Sequence, residues 1–312
     1  MKVDIILISY NQEQFISQAI ESILMQRVKE DVEMRVIVAD DFSNDRTLSI
    51  IRQYDEKQYE SLKNLNLSRE KILDLRLALE FIYLESISNL GISKNYQRAF
   101  AMCDADYVAI LEGDDYWSSP NHIEQHVRFL DNHRGCSMSM NAITRCRHEK
   151  NEFIASTWHY PEDVYYVDTK TQIAGGNHLG NLSACVLRNS CIQLLPKSLY
   201  DMVIADWMLG IMLSQQGLIA LLKESTSVYR TNSNSVWASL TWHQQIQQML
   251  ESADIYNEYQ NKVFDVYWKI FKNNLVHQPK TTFKEYLPPV LYSVLKALIP
   301  PFVKFIKRKS EF

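Results

Sequence analysis

Cysteine is scarce in this chain of 312 residues, and the little there is has no pattern. The five cysteines (Cys103, Cys136, Cys146, Cys185 and Cys191) are odd in number and form no CxxC pair. That excludes a disulfide framework and a zinc cluster, and leaves reduced, packing cysteines in a cytoplasmic protein. Basic charge is not in excess either. The formal net charge is -4, so the electrostatic footprint of a nucleic-acid binder is missing. A basic leader with a small-residue cleavage site is absent, and the first apolar run is only strand length, so nothing marks the chain for export. The length itself allows one large or two modest domains with ample core.

What is present is an acidic strand end. The segment Val108-Ala-Ile-Leu-Glu-Gly-Asp-Asp-Tyr-Trp117 places Glu112, Asp114 and Asp115 where an apolar strand stops. In open α/β sheets ligands gather beyond the carboxyl ends of strands. Clustered acids there repel one another unless a hard divalent cation joins them. The plainer alternative is an acidic turn before a helix opening at Ser118, Ser119 and Pro120. A second strand favours the first reading: Val36 to Ala39 is followed by the paired acids Asp40 and Asp41 and by the cap-like Ser43. A third, from Val3, ends at Ser9, Tyr10 and Asn11, and precedes a helix with the apolar face Phe15, Ile16, Ala19, Ile20, Ile23 and Leu24. In a parallel sheet these ends share one edge, so Ser9, Tyr10, Asp41, Asp114 and Asp115 converge.

Five motifs in this order resemble the inverting family 2 glycosyltransferases: Ile8-Ser-Tyr-Asn11, Asp40-Asp-Phe-Ser-Asn-Asp45, Asn89-Leu-Gly-Ile-Ser-Lys-Asn95, Glu112-Gly-Asp-Asp-Tyr-Trp117 and Ala205-Asp206-Trp207. The resemblance implies an α/β GT-A fold, a Rossmann-like nucleotide-binding mixed sheet flanked by helices, here with a C-terminal helical extension. It implies a nucleoside-diphosphate sugar donor, most commonly a UDP-sugar, and an acceptor hydroxyl on a glycan or lipid-linked glycan. Asp206 falls at the position of the catalytic base. Ser9, Tyr10, Asn11, Asp41, Lys94, Asp114, Arg230 and Trp237 fall at nucleotide-sugar positions, with Arg98 a second basic residue near the phosphates. Asp115, with Asp114, would hold manganese or magnesium. Two departures stand out: Ala205 replaces an acid that precedes the base in many relatives, and Asn232 replaces a metal-ligating histidine found in some.

Two physical arguments bear on these positions. A carboxylate that opens a helix, as Asp206 does, is stabilised by the macrodipole and becomes a weaker base, whereas desolvation beside Trp207 and other acids works the other way. A guanidinium such as Arg230 binds phosphate oxygens in bidentate fashion.

The remaining stretches are assigned by pattern. Residues 55 to 80 carry Leu62, Leu65, Leu67, Leu73, Leu75 and Leu77 and read as a helical insertion, followed by a strand at Phe81 to Leu84. Ser93 reads as the cap of the next helix. Cys136 to Ile143 reads as a strand entering an acceptor half. Trp158, His159 and Tyr160 either stack on a sugar or fill a loop, the loop being favoured. His178 reads as a loop histidine. Gly217 is expected to end the helix that Asp206 opens. The expected division is a catalytic domain over 1–240, split into a nucleotide-sugar half (1–118) and an acceptor half (119–240), then a helical region over 241–312. In that region Ile246, Met249, Leu250, Ala253, Tyr256, Val263, Tyr267, Ile270 and Phe271 recur at helical spacing and read as core. The tail from Leu287 to Phe312 interleaves apolar residues with Lys296, Lys304 and Lys307-Arg-Lys309. It is too broken by Pro300 and Pro301 to span a bilayer, so it reads as a peripheral anchor on an anionic membrane, as packing, or as a homodimer contact. Two rival classes are a receiver module, from Asp40 and Asp41, and a metal-dependent nucleotidyltransferase. Against the second, Ile8-Ser-Tyr-Asn-Gln12 has neither glycine nor a basic residue.

Overall fold

In a computed structural model, which describes residues 1–178, 180–202, 206–231 and 240–276, the apolar runs become strands covered on both faces. The strands are β1 (Lys2–Ser9), β2 (Glu33–Asp40), β3 (Glu80–Tyr83), β4 (Tyr107–Glu112), β5 (Tyr116–Trp117), β6 (Cys136–Arg147), β7 (Glu152–Ala155), β8 (Val164–Val167), β9 (Cys185–Arg188) and β10 (Leu218–Thr231). The helices are α1 (Ile16–Leu24), α2 (Thr47–Ser61), α3 (Arg69–Asp74), α4 (Ile92–Met102), α5 (His122–Asn132), α6 (Thr169–Ala174), α7 (Asn189–Ile192), α8 (Asp206–Ser214), α9 (Trp242–Tyr259) and α10 (Asp265–Val276). The sheet runs β3-β2-β1-β4-β9-β6-β10-β5, with β7 added to β6 and β8 to β10.

β1 lies parallel between β2 and β4, with Ile8 opposite Ala39 on one side and Glu112 on the other. The carboxyl ends of these three strands therefore meet on one edge, as the pattern of polar strand ends implied. Beyond β4 the sheet is mixed: β9 is antiparallel to β4 and β6, while β10 is parallel to β6. In β1, Ile5 and Leu7 join the core under α1 and α5, and Ile6 and Ile8 join the core under α4 and α8. Strands sandwiched in this way cannot alternate apolar with polar, which is why they are continuous apolar runs.

The C-terminal helices are built into the second core. Thr241 and Gln244 form a reciprocal capping box at the start of α9. The Trp207 ring of α8 lies 5.2 Å from that of Trp268 and 4.6 Å from that of Phe271. The helix that opens at Asp206 is thus held from behind by α10.

Several local expectations are corrected. Ser43 does not cap a helix: α2 starts at Thr47, and Ser43 donates instead to Asp40, at 2.6 Å from its hydroxyl and 2.9 Å from its backbone N–H. The cap position of α4 is Gly91, at φ 80°, not Ser93. That backbone region is open to glycine without strain, and it turns the chain so that Gly91 N–H faces Asp41. The leucines of the insertion do not build a core: Leu65, Leu67, Leu75 and Leu77 are exposed, and Ile72 is the buried residue of α3. In the C-terminal stripe Val263 is exposed, because the chain turns at Asn261 and Lys262, both at positive φ. Trp268, which the stripe omitted, is fully buried.

No helix among the described residues is long and apolar enough to cross a membrane. The tail assigned to a membrane or dimer contact, with Asn232 and Trp237, lies outside the described residues.

Gly217 ends the turn after α8 where β10 crosses β6. A methyl group there would lie 2.8 Å from the Ser137 nitrogen and 2.9 Å from the Gly135 oxygen, both backbone atoms. Gly217→Ala is expected to destabilise the protein by about 1–3 kcal/mol through overpacking, measured by urea denaturation. An unchanged midpoint would show that the turn yields freely.

Candidate active site

The edge where β1, β2 and β4 end carries the chemistry, and its geometry starts with a turn. Gly113 N–H donates to the Ile8 carbonyl at 2.8 Å, and Asp115 N–H donates to that of Glu112 at 2.9 Å. The turn folds the acids together, so that oxygens of Glu112, Asp114 and Asp115 lie within 4.8 Å of one another. Fixed donors hold them there. Asp115 is 0% exposed and accepts from Asn181 Nδ2 at 2.7 Å, Ser183 Oγ at 2.7 Å and the Arg230 backbone N–H at 2.8 Å. Glu112 accepts from the Tyr96 hydroxyl at 3.0 Å. The buried Arg230 side chain donates to the Asp114 carbonyl at 2.5 Å and to Gln18 Oε1, between the rings of Phe15 and Tyr116.

Burial sets the electrostatics. It pushes Glu112 well above the usual carboxylate range, and the charges of Asp115 and Asp114 push it further. Burial, then the charge of Asp114, raises Asp115 to about 7 despite its donors. Asp114 is raised by burial as well. Asp206 is also raised by burial, although Asn177 and the Trp207 N–H, at 2.9 Å, favour its charged form. Desolvation therefore outweighs the helix terminus at this carboxylate. Asp206 shares its surroundings with the acidic turn. The Tyr229 hydroxyl is raised first by burial and then by Asp115, Glu112, Asp206 and Asp114 together, and the Tyr96 hydroxyl responds to both Glu112 and Asp206. The acidic turn and the start of α8 therefore meet in one polar enclosure.

Such a cluster of oxygen ligands with uncompensated repulsion suits a hard divalent cation. Within it Asp115, expected to be the chief ligand, is the fully buried member whose oxygens are taken by protein donors. Glu112 and Asp114 are partly exposed.

The other expected nucleotide residues divide into anchors and rim. Asp41 is 4% exposed, and its two oxygens accept the backbone N–H groups of Leu90 and Gly91 at 2.8 and 2.9 Å. Ser9 is buried and donates to Asp40 at 2.8 Å, so it braces β2 from within. Asn11, at φ 53°, accepts from Asn44 N–H through its side chain and donates its backbone N–H to Ser43, tying two loops together. Tyr10 is exposed at the rim. Lys94 pairs with Asp201 at 2.6 Å. Arg98 donates to the carbonyls of Asp40, Leu84 and Glu85 and is a structural cross-brace. His178 is held neutral by burial, which lowers its pKa to about 4. Trp158 and Tyr160 pack edge to face with Tyr160 stacked on Tyr165, in accord with a filled loop.

Sequence reasoning missed the donors Asn181, Ser183 and Tyr96, and it missed Tyr229. Their only signal is polarity beside an apolar strand or helix. It acquires meaning once β9 is known to run antiparallel to β4, which sets Ser183 against Glu112 and Asp115.

A family model described as Glycosyl transferase family 2 matches residues 4–188. An uncharacterized protein of Mycobacterium bovis is 27% identical over 240 residues, which are 76% of this chain and 61% of that protein. The chain thus spans about 61% of the length of that curated relative. Among solved structures, S. aureus TarS 1-349 in complex with UDP-GlcNAc aligns with a TM-score of 0.57 at 17% identity, over 81% of this chain and 66% of TarS. The mannosyltransferase PcManGT from Pyrobaculum calidifontis, in complex with GDP-Man and Mn2+, aligns with a TM-score of 0.55 at 12% identity, over 99% of this chain and 84% of that one. At these identities the likeness establishes the GT-A fold.

The raised acids have a sign that can be tested. A carboxyl whose folded pKa lies above its unfolded value contributes stability in full below the unfolded value. That contribution is lost as pH rises through the folded one, which for Asp115 is about 7. The chelator-treated protein is therefore expected to lose at least about 1 kcal/mol from this cluster between pH 5 and pH 7.5, roughly 2–4 °C in Tm. Manganese is expected to raise Tm more at pH 7.5 than at pH 5. Equal shifts at both pH values would show that the ion does not bind these acids.

Proposed function

The chain belongs to glycosyl transferase family 2, and from that premise we propose that it moves a sugar from a nucleoside-diphosphate sugar to an acceptor hydroxyl with inversion at the anomeric carbon. A UDP-sugar is the first candidate donor. A hydroxyl on a growing glycan or a lipid-linked glycan is the candidate acceptor. One observation carries the reading: a buried carboxylate of raised pKa, Asp206, shares an enclosure with the acids at the end of β4. TarS binds UDP-GlcNAc and PcManGT binds GDP-Man with Mn2+, so this fold serves donors of both bases.

Asp206 takes the proton of the acceptor hydroxyl as that oxygen attacks the anomeric carbon. Burial makes it a stronger base than an exposed helix-end aspartate, since the best general bases have pKa values near the working pH. Asn177 orients the carboxylate, and Trp207, wedged against Trp268 and Phe271, fixes the helix that carries it. Glu112 and Asp114, backed by Asp115, are the residues to hold manganese or magnesium, which when bound supplies Lewis-acid stabilisation of the departing diphosphate. Arg230 serves this group from beneath, because its guanidinium is engaged by the Asp114 carbonyl and Gln18 and is not free to meet phosphate. Lys94 is the readier phosphate partner. Its ion pair with Asp201 is exposed on both sides, and such pairs are worth only about 0–1 kcal/mol, so a diphosphate displaces it at little cost. Asp41 fixes the Leu90–Gly91 loop that walls the base pocket, and Tyr10 frames that pocket at its rim.

In this reading residues 1–240 form the catalytic unit, and its two halves are interlocked. Asn181 and Ser183 of the acceptor half hold Asp115 of the donor half. A cytoplasmic location with the tail from Leu287 on an anionic membrane surface rests on the sequence alone. The receiver alternative loses its ground, because Asp40 is 5% exposed and already accepts from Ser9 and twice from Ser43, and so offers no free phosphoacceptor.

Nucleoside-diphosphate release from a panel of UDP- and GDP-sugars, with manganese present, tests the assignment. Asp206→Asn is expected to cut turnover at least roughly 10²-fold while leaving donor KM nearly unchanged. Asp114→Ala is expected to abolish the response to manganese. Near-normal turnover in Asp206→Asn would remove that residue from the chemistry.

A further inference from the structure

The parallel register of β10 and β6 sets Tyr229 beside Arg145 and Arg230 beside Cys146. Successive residues of a strand point to opposite faces. Arg230 meets Phe15 and Gln18 on one face, so Tyr229 and Arg145 lie on the other. That is the face of Asp206 and Glu112, whose charges act on Tyr229. Ile143, two residues before Arg145 on the same face, comes within reach of Gly180, where an added Cβ would lie 3.7 Å from its Cδ1. The loop beyond Gly180 toward the N-terminus carries Asn177, the partner of Asp206. Arg145 therefore flanks the approach to the proposed base from the acceptor half.

Arg145 is half-buried, and among the described residues it has no hydrogen bond or ion pair. The other shielded arginines are satisfied: Arg35 by Asp4, Arg98 and Arg188 by carbonyls, Arg230 by Gln18 and Asp114. The titratable neighbours of Arg145 are the neutral Tyr229 hydroxyl and Arg147, and Arg147 is itself paired with Glu152 at 3.0 Å. A guanidinium that has lost water and has no anion beside it among the described residues is unfavourable. Its planar fork matches a carboxylate or phosphate in two parallel hydrogen bonds. The acids of the β4 turn act on Tyr229, which pairs with Arg145 across β10 and β6.

We propose that Arg145 is a specificity-determining residue that pairs with a carboxylate or phosphate carried by the acceptor, so that the enzyme selects an acidic glycan. This rests on the transferase reading above. The inference gives a partner to a guanidinium that has none among the described residues, and it assigns the β6–β7 hairpin a role in acceptor choice.

Ligand-observed NMR titrations on the full chain, with UDP and manganese present, provide the test. The probes are matched pairs: 4-nitrophenyl β-D-glucuronide against the β-D-glucoside, and 4-nitrophenyl β-D-galacturonide against the β-D-galactoside. The acidic member of at least one pair is expected to bind about tenfold or more tightly, as one charge-assisted bidentate pair allows. Arg145→Gln is expected to erase that preference and Arg145→Lys to restore part of it. Equal binding within both pairs, a preference that survives in Arg145→Gln, or a loss confined to UDP affinity would each overturn the proposal. Because binding is read without turnover, failure of the wild type to bind UDP counts against the transferase reading, whereas the acidic preference reports on Arg145 alone.

Discussion

Three carboxylates that ought to drive one another apart are held together at the end of β4, and much of the molecule is arranged around that constraint. The hydroxyl of Ser183 and the amide of Asn181 from the segment before β9, the backbone N–H of Arg230 from β10 and the phenol of Tyr96 from α4 converge on Glu112 and Asp115. A hydrogen bond to a charged group is worth about 1.5–3 kcal/mol, so these donors offset part of the cost of burying the acids. The antiparallel course of β9 beside β4 brings the segment carrying Asn181 and Ser183 against the acids. The Arg230 side chain lies on the Asp114 carbonyl and Gln18, with its backbone N–H on Asp115.

Burial does a second job at Asp206. The sequence poses a conflict there, since a helix start makes an aspartate a poorer base and desolvation makes it a better one. Desolvation by burial is the larger effect on Asp206, and the neighbouring Trp207 ring is packed among Trp268, Phe271 and Tyr256. The same aromatic group joins the helical C-terminal region to the catalytic sheet.

The parts of this arrangement that were legible in the sequence are those written in local pattern. Apolar runs with acids at their ends gave β1, β2 and β4, and parallel pairing followed from their buried character. What was not legible depends on register between distant strands. Ser183 is one serine among many until β9 is set against β4, and Tyr229 and Arg145 gain their meaning only from the pairing of β10 with β6. The identity of the most buried acid was hidden for the same reason, because Asp114 and Asp115 are indistinguishable until the donors to Asp115 are in place. The cap of α4 went to Gly91 rather than Ser93 because the loop had to aim two N–H groups at Asp41, a demand that exists only in three dimensions.

The aromatic wedge behind Asp206 lies downstream of the segment that the family model matches, residues 4–188. Asp206 is therefore seated by α10, while the acids at the end of β4 are seated by the turn at Gly113. Repacking around Phe271 or Trp268 would tilt Asp206 without disturbing the turn at Gly113.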